Sequence, residues 1–104
     1  EIKNPIIELP EVCENATTVW HQFVIRTPVR DRLIEYLNSC EIGTIIHYPI
    51  PPHLAKAYEY LGMKKGDLPI TERFADEVLS LPLYNGMTED EQSYVIEKIN
   101  SFRC

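Results

Sequence analysis

The sequence is short of basic residues and has no long hydrophobic run. Ten lysines and arginines are outnumbered by sixteen aspartates and glutamates, which gives a formal net charge of −6 at pH 7. Nucleic-acid binders usually collect their cations on one face, and here the cations are spread thinly, so we exclude nucleic acid as a partner. No stretch approaches the ~20 apolar residues of a membrane helix, and the first residues do not resemble a signal peptide. We expect a soluble, cytoplasmic protein with no membrane partner.

Cysteine is also scarce, with three residues at wide spacings and no CxxC pair. This odd number fits neither a disulfide framework nor a metal clip. The intervals between the three histidines match no compact zinc pattern. A Cys–His nucleophile pair that uses Cys40 is disfavoured, because Cys40 falls on the apolar stripe of a predicted helix. The sequence therefore predicts no metal site and no catalytic residue in this chain.

The chain is long enough for one hydrophobic core and too short for two. It has 104 residues, of which 44% are hydrophobic and 25% charged, as in ordinary globular proteins. The chain starts at Glu1 rather than at a methionine, and its first residues are polar. We expect one domain over residues 1–104, as a piece of something larger.

The first half of the chain predicts a strand, a helix and a second strand. Residues 17–26 are β-branched and aromatic with alternating faces, which favours a strand. Thr27 and Pro28 form a helix start, Gly43 ends the helix, and residues 44–48 follow as another strand. This order favours a parallel or mixed pairing. The apolar stripe of the helix is Val29, Leu33, Leu37 and Cys40.

The second half predicts three helices and a short extended segment. A helix from Pro52 to Gly62 is followed by a helix that starts at Pro69, and residues 81–84 form a brief strand or an extended exit. Thr88 and Glu91 are spaced as a capping box at the start of the last helix. Together these elements predict an α/β (α+β) two-layer sandwich with a small mixed or antiparallel sheet and helices mainly on one face. The residues expected to face inward are Ile70, Phe74, Val78 and Leu79 in the second helix, and Val95, Ile99 and Phe102 in the last.

The candidate site is the segment IIHYPIPPH at residues 45–53. Each residue before a proline is pushed towards extended geometry, so the segment is stiff and holds side chains at little entropic cost. His47 would lie at the end of a strand, Tyr48 on the opposite side, and His53 at the start of the next helix. Imidazoles held this way can donate to an anionic or hydroxyl-rich ligand. The alternative is that they only bond to backbone at a surface turn.

Other conspicuous side chains are assigned to structure. Trp20 and Tyr36 are interpreted as packing residues, and His21 as part of its strand. The acidic run at residues 89–91 complements the dipole of the last helix.

Three stretches together resemble the C-terminal part of the DegT/DnrJ-type sugar aminotransferases. They are residues 20–26, WHQFVIR, residues 30–62, with the HYP-x-P-x-H motif, and residues 68–92, with the E-x-x-A-x-x-x-L-S-L-P motif. The resemblance covers residues 17–99. Where members commonly have Leu and Gln around the second histidine of the motif, this chain has Pro52 and Ala55, which puts a role for the Gln position in doubt.

The resemblance implies a domain that contributes to a larger enzyme. Members are pyridoxal-phosphate enzymes that act on nucleotide-linked keto sugars, commonly as homodimers and with an amino donor such as glutamate. The lysine that holds the cofactor, the cradle for its phosphate and the aspartate at its pyridine nitrogen belong to a large domain, and nothing in this chain matches them. The resemblance makes residues 1–104 a single C-terminal small domain, with His47 and Tyr48 as substrate-binding residues and His53 as a second choice.

Alone, such a domain is expected to be inactive and to bind no cofactor, because the cofactor supplies the chemistry. The rival hypothesis is a free-standing α/β interaction or regulatory module without chemistry, since one fold supports many functions.

Overall fold

The computed structural model describes all residues, 1–104. Three α-helices, two β-strands and two short 3₁₀ helices make up the fold. No helix is long and apolar enough to cross a bilayer. In chain order the elements are β1 (Phe23–Arg26), α1 (Arg30–Ser39), the 3₁₀ helices Pro52–Leu54 and Lys56–Leu61, α2 (Pro69–Glu77), β2 (Val78–Leu81) and α3 (Glu89–Ser101).

Strand β2 is the centre of a small antiparallel sheet. It pairs with β1 along its length, with Ile25 opposite Leu79, and on its other side Ser80 forms a single antiparallel bridge with Ile45. The chain at Ile45 therefore runs in the same direction as β1, with β2 between them. The predicted fold class is confirmed. The parallel or mixed pairing expected for the β-α-β unit is wrong, because β2, from later in the chain, lies between the two segments of that unit and pairs antiparallel with both.

The core lies on one face of this sheet, between β1, β2, α1 and α3. The spacing of apolar residues predicted this packing for both helices. Leu33 and Leu37 of α1 are fully buried, and Val95 and Ile99 of α3 are buried. Cys40 packs against the edge of the same cluster. The helices thus cover mainly one face, as predicted. The buried apolar cluster consists of Ile7, Ile25, Leu33, Leu37, Ile42, Leu79, Leu81, Val95, Ile99 and Phe102.

Helix α3 begins as the sequence predicts. The Thr88 hydroxyl accepts from the Glu91 amide at 3.1 Å, and the Glu91 carboxylate accepts from the Thr88 amide at 2.9 Å. This reciprocal capping box satisfies two donors that would otherwise lack partners at the helix start.

The predicted inward face of the second helix is wrong. Ile70 is 72% exposed and Phe74 is 42% exposed, and the buried residue of α2 is Ala75. The helix ends at Glu77, and the chain passes without a loop into β2, which contains Val78 and Leu79. Ile70 and Phe74 lie on the helix, whereas Val78 and Leu79 lie on the strand. The side-chain period changes from 3.6 residues to 2 between the two elements, so these residues do not share one helical face.

Both predicted strands of the first half are shorter than expected. Of the strand predicted at residues 17–26, only residues 23–26 form a strand and pair with β2. The pairing stops there because β2 ends before Pro82, and a proline cannot donate a hydrogen bond to a ladder. Trp20 has a positive φ of 46°, which interrupts the extended conformation. Residues 44–48 contribute only the bridge at Ile45.

The predicted helix from Pro52 to Gly62 is two 3₁₀ helices rather than an α-helix. Ala55, between them, is extended with ψ 143°, so the α-helical ladder does not form. The second 3₁₀ helix still ends at Gly62, as predicted, and Gly62 has a left-handed conformation with φ 69°. Likewise, the extended segment predicted at 81–84 starts earlier, at Val78.

Truncation in the core and on α2 should separate buried from exposed apolar residues. We expect Leu79→Ala to lower the free energy of unfolding by about 2–5 kcal/mol, because it opens a cavity beneath both helices. Ile70→Ala removes an aliphatic side chain that is mostly in water, so it should change stability by about 0.5 kcal/mol or less. Urea unfolding of residues 1–104 followed by circular dichroism measures both. Equal losses would contradict the described packing of α2.

Candidate functional site

The segment that contains His47 is fixed by the central strand. The Ser80 amide donates to the Ile45 carbonyl at 2.8 Å, and the Ile45 amide donates to the Ser80 carbonyl at 3.2 Å. Two residues later, His47 Nδ1 lies 2.9 Å from the Ser80 hydroxyl oxygen. Ser80 is buried, with 6% of its surface exposed. The backbone and the side chain of one residue thus set both the position of the corner and the orientation of the imidazole.

The second ring nitrogen of His47 remains free for a ligand. Nδ1 is engaged by Ser80, and Nε2 has no protein partner and is not buried. Its role follows from Ser80: if the hydroxyl donates to Nδ1, Nε2 carries the proton and donates outward. The ring can equally present an acceptor when Nδ1 donates to the hydroxyl.

Tyr48 lies next to this imidazole and is open to solvent. It is 72% exposed, and its ring meets that of His47 edge to face with 5.4 Å between centroids. The peptide bond between His47 and Tyr48 is cis. The exposed phenol is available for contact with a ligand or with another part of a larger protein.

His53 is placed differently, because its side chain is inside the molecule and only 4% exposed. Its Nε2 donates to the Glu72 carboxylate at 2.9 Å, and the Gly66 amide donates to the same carboxylate at 2.7 and 2.9 Å. The remaining ring nitrogen, Nδ1, is buried without a partner. His53 therefore ties the first 3₁₀ helix to α2 and to the preceding loop.

Two clefts meet at His47. The polar cleft has a volume of about 460 Å³, and the apolar cleft about 320 Å³. His47 borders both, Tyr48 borders the apolar cleft, and His53 borders neither. The polar cleft is lined by His21, Gln22, Gly43, Thr44, Ile45, His47, Ser80, Leu81, Pro82, Leu83 and Tyr84; the apolar cleft by His47, Tyr48, Ile50, Pro51, Pro52, Thr71, Phe74, Ala75 and Val78.

Sequence reasoning did not identify the partners of the two histidines. Glu72 and Ser80 both belong to the E-x-x-A-x-x-x-L-S-L-P motif, so the motif itself was the available signal. His21, interpreted as a strand residue, is exposed at the rim of the polar cleft. The HYP-x-P-x-H motif and the second motif are therefore joined by two side-chain hydrogen bonds.

Solved structures that share this fold are aminotransferases. DesV of S. venezuelae superimposes with a TM-score of 0.88 at 38% identity, over 92% of this chain and 26% of that one. NtdA of Bacillus subtilis, solved with bound cofactor PMP, superimposes with a TM-score of 0.74 at 35% identity, over 91% of this chain and 22% of that one.

The chain belongs to the DegT/DnrJ/EryC1/StrS aminotransferase family, whose model matches residues 3–100. Among curated relatives it is 43% identical over 101 residues to the dTDP-3-amino-3,6-dideoxy-alpha-D-galactopyranose transaminase of Aneurinibacillus thermoaerophilus. That match covers 97% of this chain and 27% of the relative. The chain thus spans about a quarter of the length of the relatives it matches.

The carboxylate of Glu72 should make stability depend on acid pH. The hydrogen bond from His53, with that from the Gly66 amide, holds the pKa of Glu72 below its ordinary value of 4.5. A depressed folded-state pKa adds stability above the unfolded-state value, and this is lost as the pH falls through the folded-state value. We therefore expect Glu72→Gln to be less stable than the parent at neutral pH, with the difference shrinking as pH drops below about 4.5.

Denaturant unfolding at a series of pH values measures this difference. Glu59→Gln is the matched control, because Glu59 is exposed on the second 3₁₀ helix and should show little effect at any pH. A loss in Glu72→Gln that stays constant down to pH 3 would contradict the assigned ionic role of the Glu72 carboxylate.

Proposed function

We propose that residues 1–104 are the C-terminal small domain of a pyridoxal-phosphate-dependent aminotransferase that acts on a nucleotide-linked keto sugar. The proposed reaction transfers an amino group, from a donor such as glutamate, in the making of amino sugars for surface polysaccharide such as lipopolysaccharide. The enzyme would be a cytoplasmic homodimer. The family match over residues 3–100 carries this proposal, and the presentation of His47 and Tyr48 beside open clefts supports it.

The residues of this chain do not fit the role of cofactor holder. Schiff-base chemistry needs a lysine in surroundings that lower its pKa. Four of the five lysines are exposed, Lys98 is partly exposed on α3, and none borders either cleft at His47. We therefore assign the cofactor to the part of the enzyme outside this sequence.

The part played by this chain would be to bind and orient substrate. His47 Nε2 and the Tyr48 hydroxyl are unpaired polar groups on a braced corner, so they can hydrogen-bond to a substrate with little loss of side-chain entropy. Because Ser80 holds the imidazole, the Nε2 position is set before the ligand arrives. His53, in contrast, would contribute by fixing the corner, since it is buried against Glu72.

Exposed apolar side chains beside these groups support a covering domain. Ile45 is 61% exposed and borders the polar cleft, and Ile50 is 59% exposed and borders the apolar cleft. Apolar groups clustered around a polar site are typical of an interface. We propose that the large domain of the same enzyme covers this face and closes the substrate pocket.

Residues 1–104 should form no specific covalent adduct with pyridoxal phosphate. With the cofactor added to the chain, we expect no saturable visible absorbance band and, after borohydride reduction, no stoichiometric modification of one lysine by mass spectrometry. Scattered low-level labelling of exposed lysines is the expected background. One lysine trapped at full occupancy would overturn the assignment of the cofactor to another part of the enzyme.

The same experiment leaves open the rival of a free-standing interaction or regulatory module, so the reading frame is the second test. An upstream large domain with a cofactor lysine supports the enzyme. A start codon next to Glu1 supports the module.

In the intact enzyme, His47→Ala should reduce turnover of the sugar nucleotide without emptying the cofactor site. Losing one substrate hydrogen bond should lower kcat/KM about tenfold, while the cofactor content stays at the parental level. Tyr60→Phe is the control, because Tyr60 is 79% exposed and borders neither cleft. Unchanged kinetics would contradict a role of His47 in substrate binding and would leave it only the structural contact with Ser80.

A further inference from the structure

The connection from β2 to α3 contains an Asn-Gly pair in an exposed turn. Asn85 and Gly86 follow the exit from β2 and precede the capping box at Thr88, and both are exposed. The Met87 amide donates to the Tyr84 carbonyl at 3.2 Å, so the pair holds the two central positions of a four-residue turn. Gly86 has φ 89°, which a glycine adopts without strain. The two central residues of the turn thus lie in solvent.

The Gly86 amide and the Asn85 side chain are both unrestrained. The amide donates no hydrogen bond within the protein backbone, and the hydrogen bonds beside the turn, from Tyr84 and Thr88 to Glu91, do not include the Asn85 side chain. A Cβ placed on Gly86 would meet no atom within 4 Å, so no neighbouring group hinders rotation at this point. The Gly86 nitrogen can therefore approach the side-chain carbonyl carbon of Asn85, which would close a five-membered ring.

We propose that Asn85 is a site of spontaneous deamidation, with water as the only co-reactant. The Gly86 amide loses its proton to solvent, and its nitrogen attacks Cγ of Asn85 and forms a new C–N bond. The bond from Cγ to the side-chain nitrogen breaks, and that nitrogen leaves as ammonia with a proton from water. Water then opens the resulting succinimide at either carbonyl. Opening at Cγ gives aspartate, and opening at the backbone carbonyl gives isoaspartate, whose main chain passes through Cβ.

Two of the four other asparagines are protected because a helix holds the amide that would attack. Asn38 and Asn100 each precede a serine, which is small enough to permit the same ring closure. However, Ser39 and Ser101 are the last residues of α1 and α3, so their amides lie in the hydrogen-bond ladder of a helix. The Asn100 side chain is also held, because its Oδ1 accepts from the Lys3 amide at 2.7 Å.

The remaining two asparagines lack a free amide after them. Asn4 precedes Pro5, which has no amide hydrogen to lose, and the Asn4 side chain is buried with its Nδ2 bonded to two carbonyls at the end of α3. Asn15 precedes Ala16, whose amide donates to the Cys13 carbonyl at 3.0 Å. Only Asn85 therefore combines an unrestrained side chain with a following amide that is free and unhindered.

The two products affect the turn differently. Each adds one negative charge, so the formal net charge of −6 becomes more negative by one. A carboxylate is favourable near the start of a helix, and aspartate at this position leaves the backbone unchanged. Isoaspartate instead lengthens the main chain between Tyr84 and Met87 by one carbon, which disturbs the hydrogen bond that closes the turn. Because Tyr84 borders the polar cleft, the longer main chain also alters the edge of that cleft.

The test compares the folded chain with blocked synthetic peptides of residues 83–88 and 36–41. All are incubated at pH 7 and at pH 9, and deamidation at each asparagine is followed by peptide mapping with mass spectrometry. Asn85 in the chain should convert within about fivefold of the rate in its peptide, since only one hydrogen bond closes the turn. Asn38 should be slowed about fivefold or more relative to its peptide, because its helix must open first. The Asn85 rate should rise with pH, since the attacking amide must lose a proton.

Two substitutions check the ring-closure step. Asn85→Gln would need a six-membered ring, and Gly86→Ala places a methyl group beside the attacking nitrogen, so both should lose the conversion over the time in which the parent completes it. The same substitutions in the peptide of residues 83–88 give the result independently of folding. The parent product should contain isoaspartate, detected with an isoaspartate-specific methyltransferase. An Asn85 that stays intact while its peptide converts, aspartate without isoaspartate, or equal rates at Asn38 and Asn85 would overturn the proposal.

Discussion

Two hydrogen bonds between side chains hold the candidate site together. His47 bonds to Ser80 and His53 bonds to Glu72, at 2.9 Å each. The two partners lie on either side of the junction between α2 and β2, which has no loop. The corner at residues 47–53 is therefore fixed at both ends by one continuous segment, and its prolines stiffen the part between. Displacing β2 would move the sheet, the core and the candidate ligand contacts together.

The parts of the fold that the sequence predicted are those with local signals. The capping box of Thr88 and Glu91 involves residues three positions apart, and the stripe of α1 recurs within one helix, so nearby residues determine both. The order of the strands depends on which segment pairs with β2, and no local pattern encodes that choice. The second helix was mispredicted for a related reason, since apolar residues at Ile70, Phe74 and Val78 fit a helical period although a strand starts at Val78.

The candidate site was predictable to a similar extent. The density of prolines around His47 and Tyr48 marks a stiff segment from sequence alone, and the structure places both residues beside open clefts. The contacts that orient them are distant in sequence, because Ser80 is 33 positions from His47. His21 gave no signal of its own, since its position at the rim of the polar cleft follows the left-handed turn at Trp20.

Site and fold cannot be separated at His47. The Ser80 hydroxyl is buried in the sheet, and a buried hydroxyl without a partner costs about 1–3 kcal/mol. The imidazole removes that cost through Nδ1 and leaves Nε2 without a protein partner beside the clefts, so one ring both supports the central strand and presents a free polar atom. A substitution at this position should therefore alter the stability and, under the proposed function, the binding of substrate. An amide side chain that can still bond to Ser80 should preserve the stability and change the binding. A histidine suits this position because its two ring nitrogens point in different directions and each can donate or accept, so a bond to Ser80 leaves the other nitrogen available.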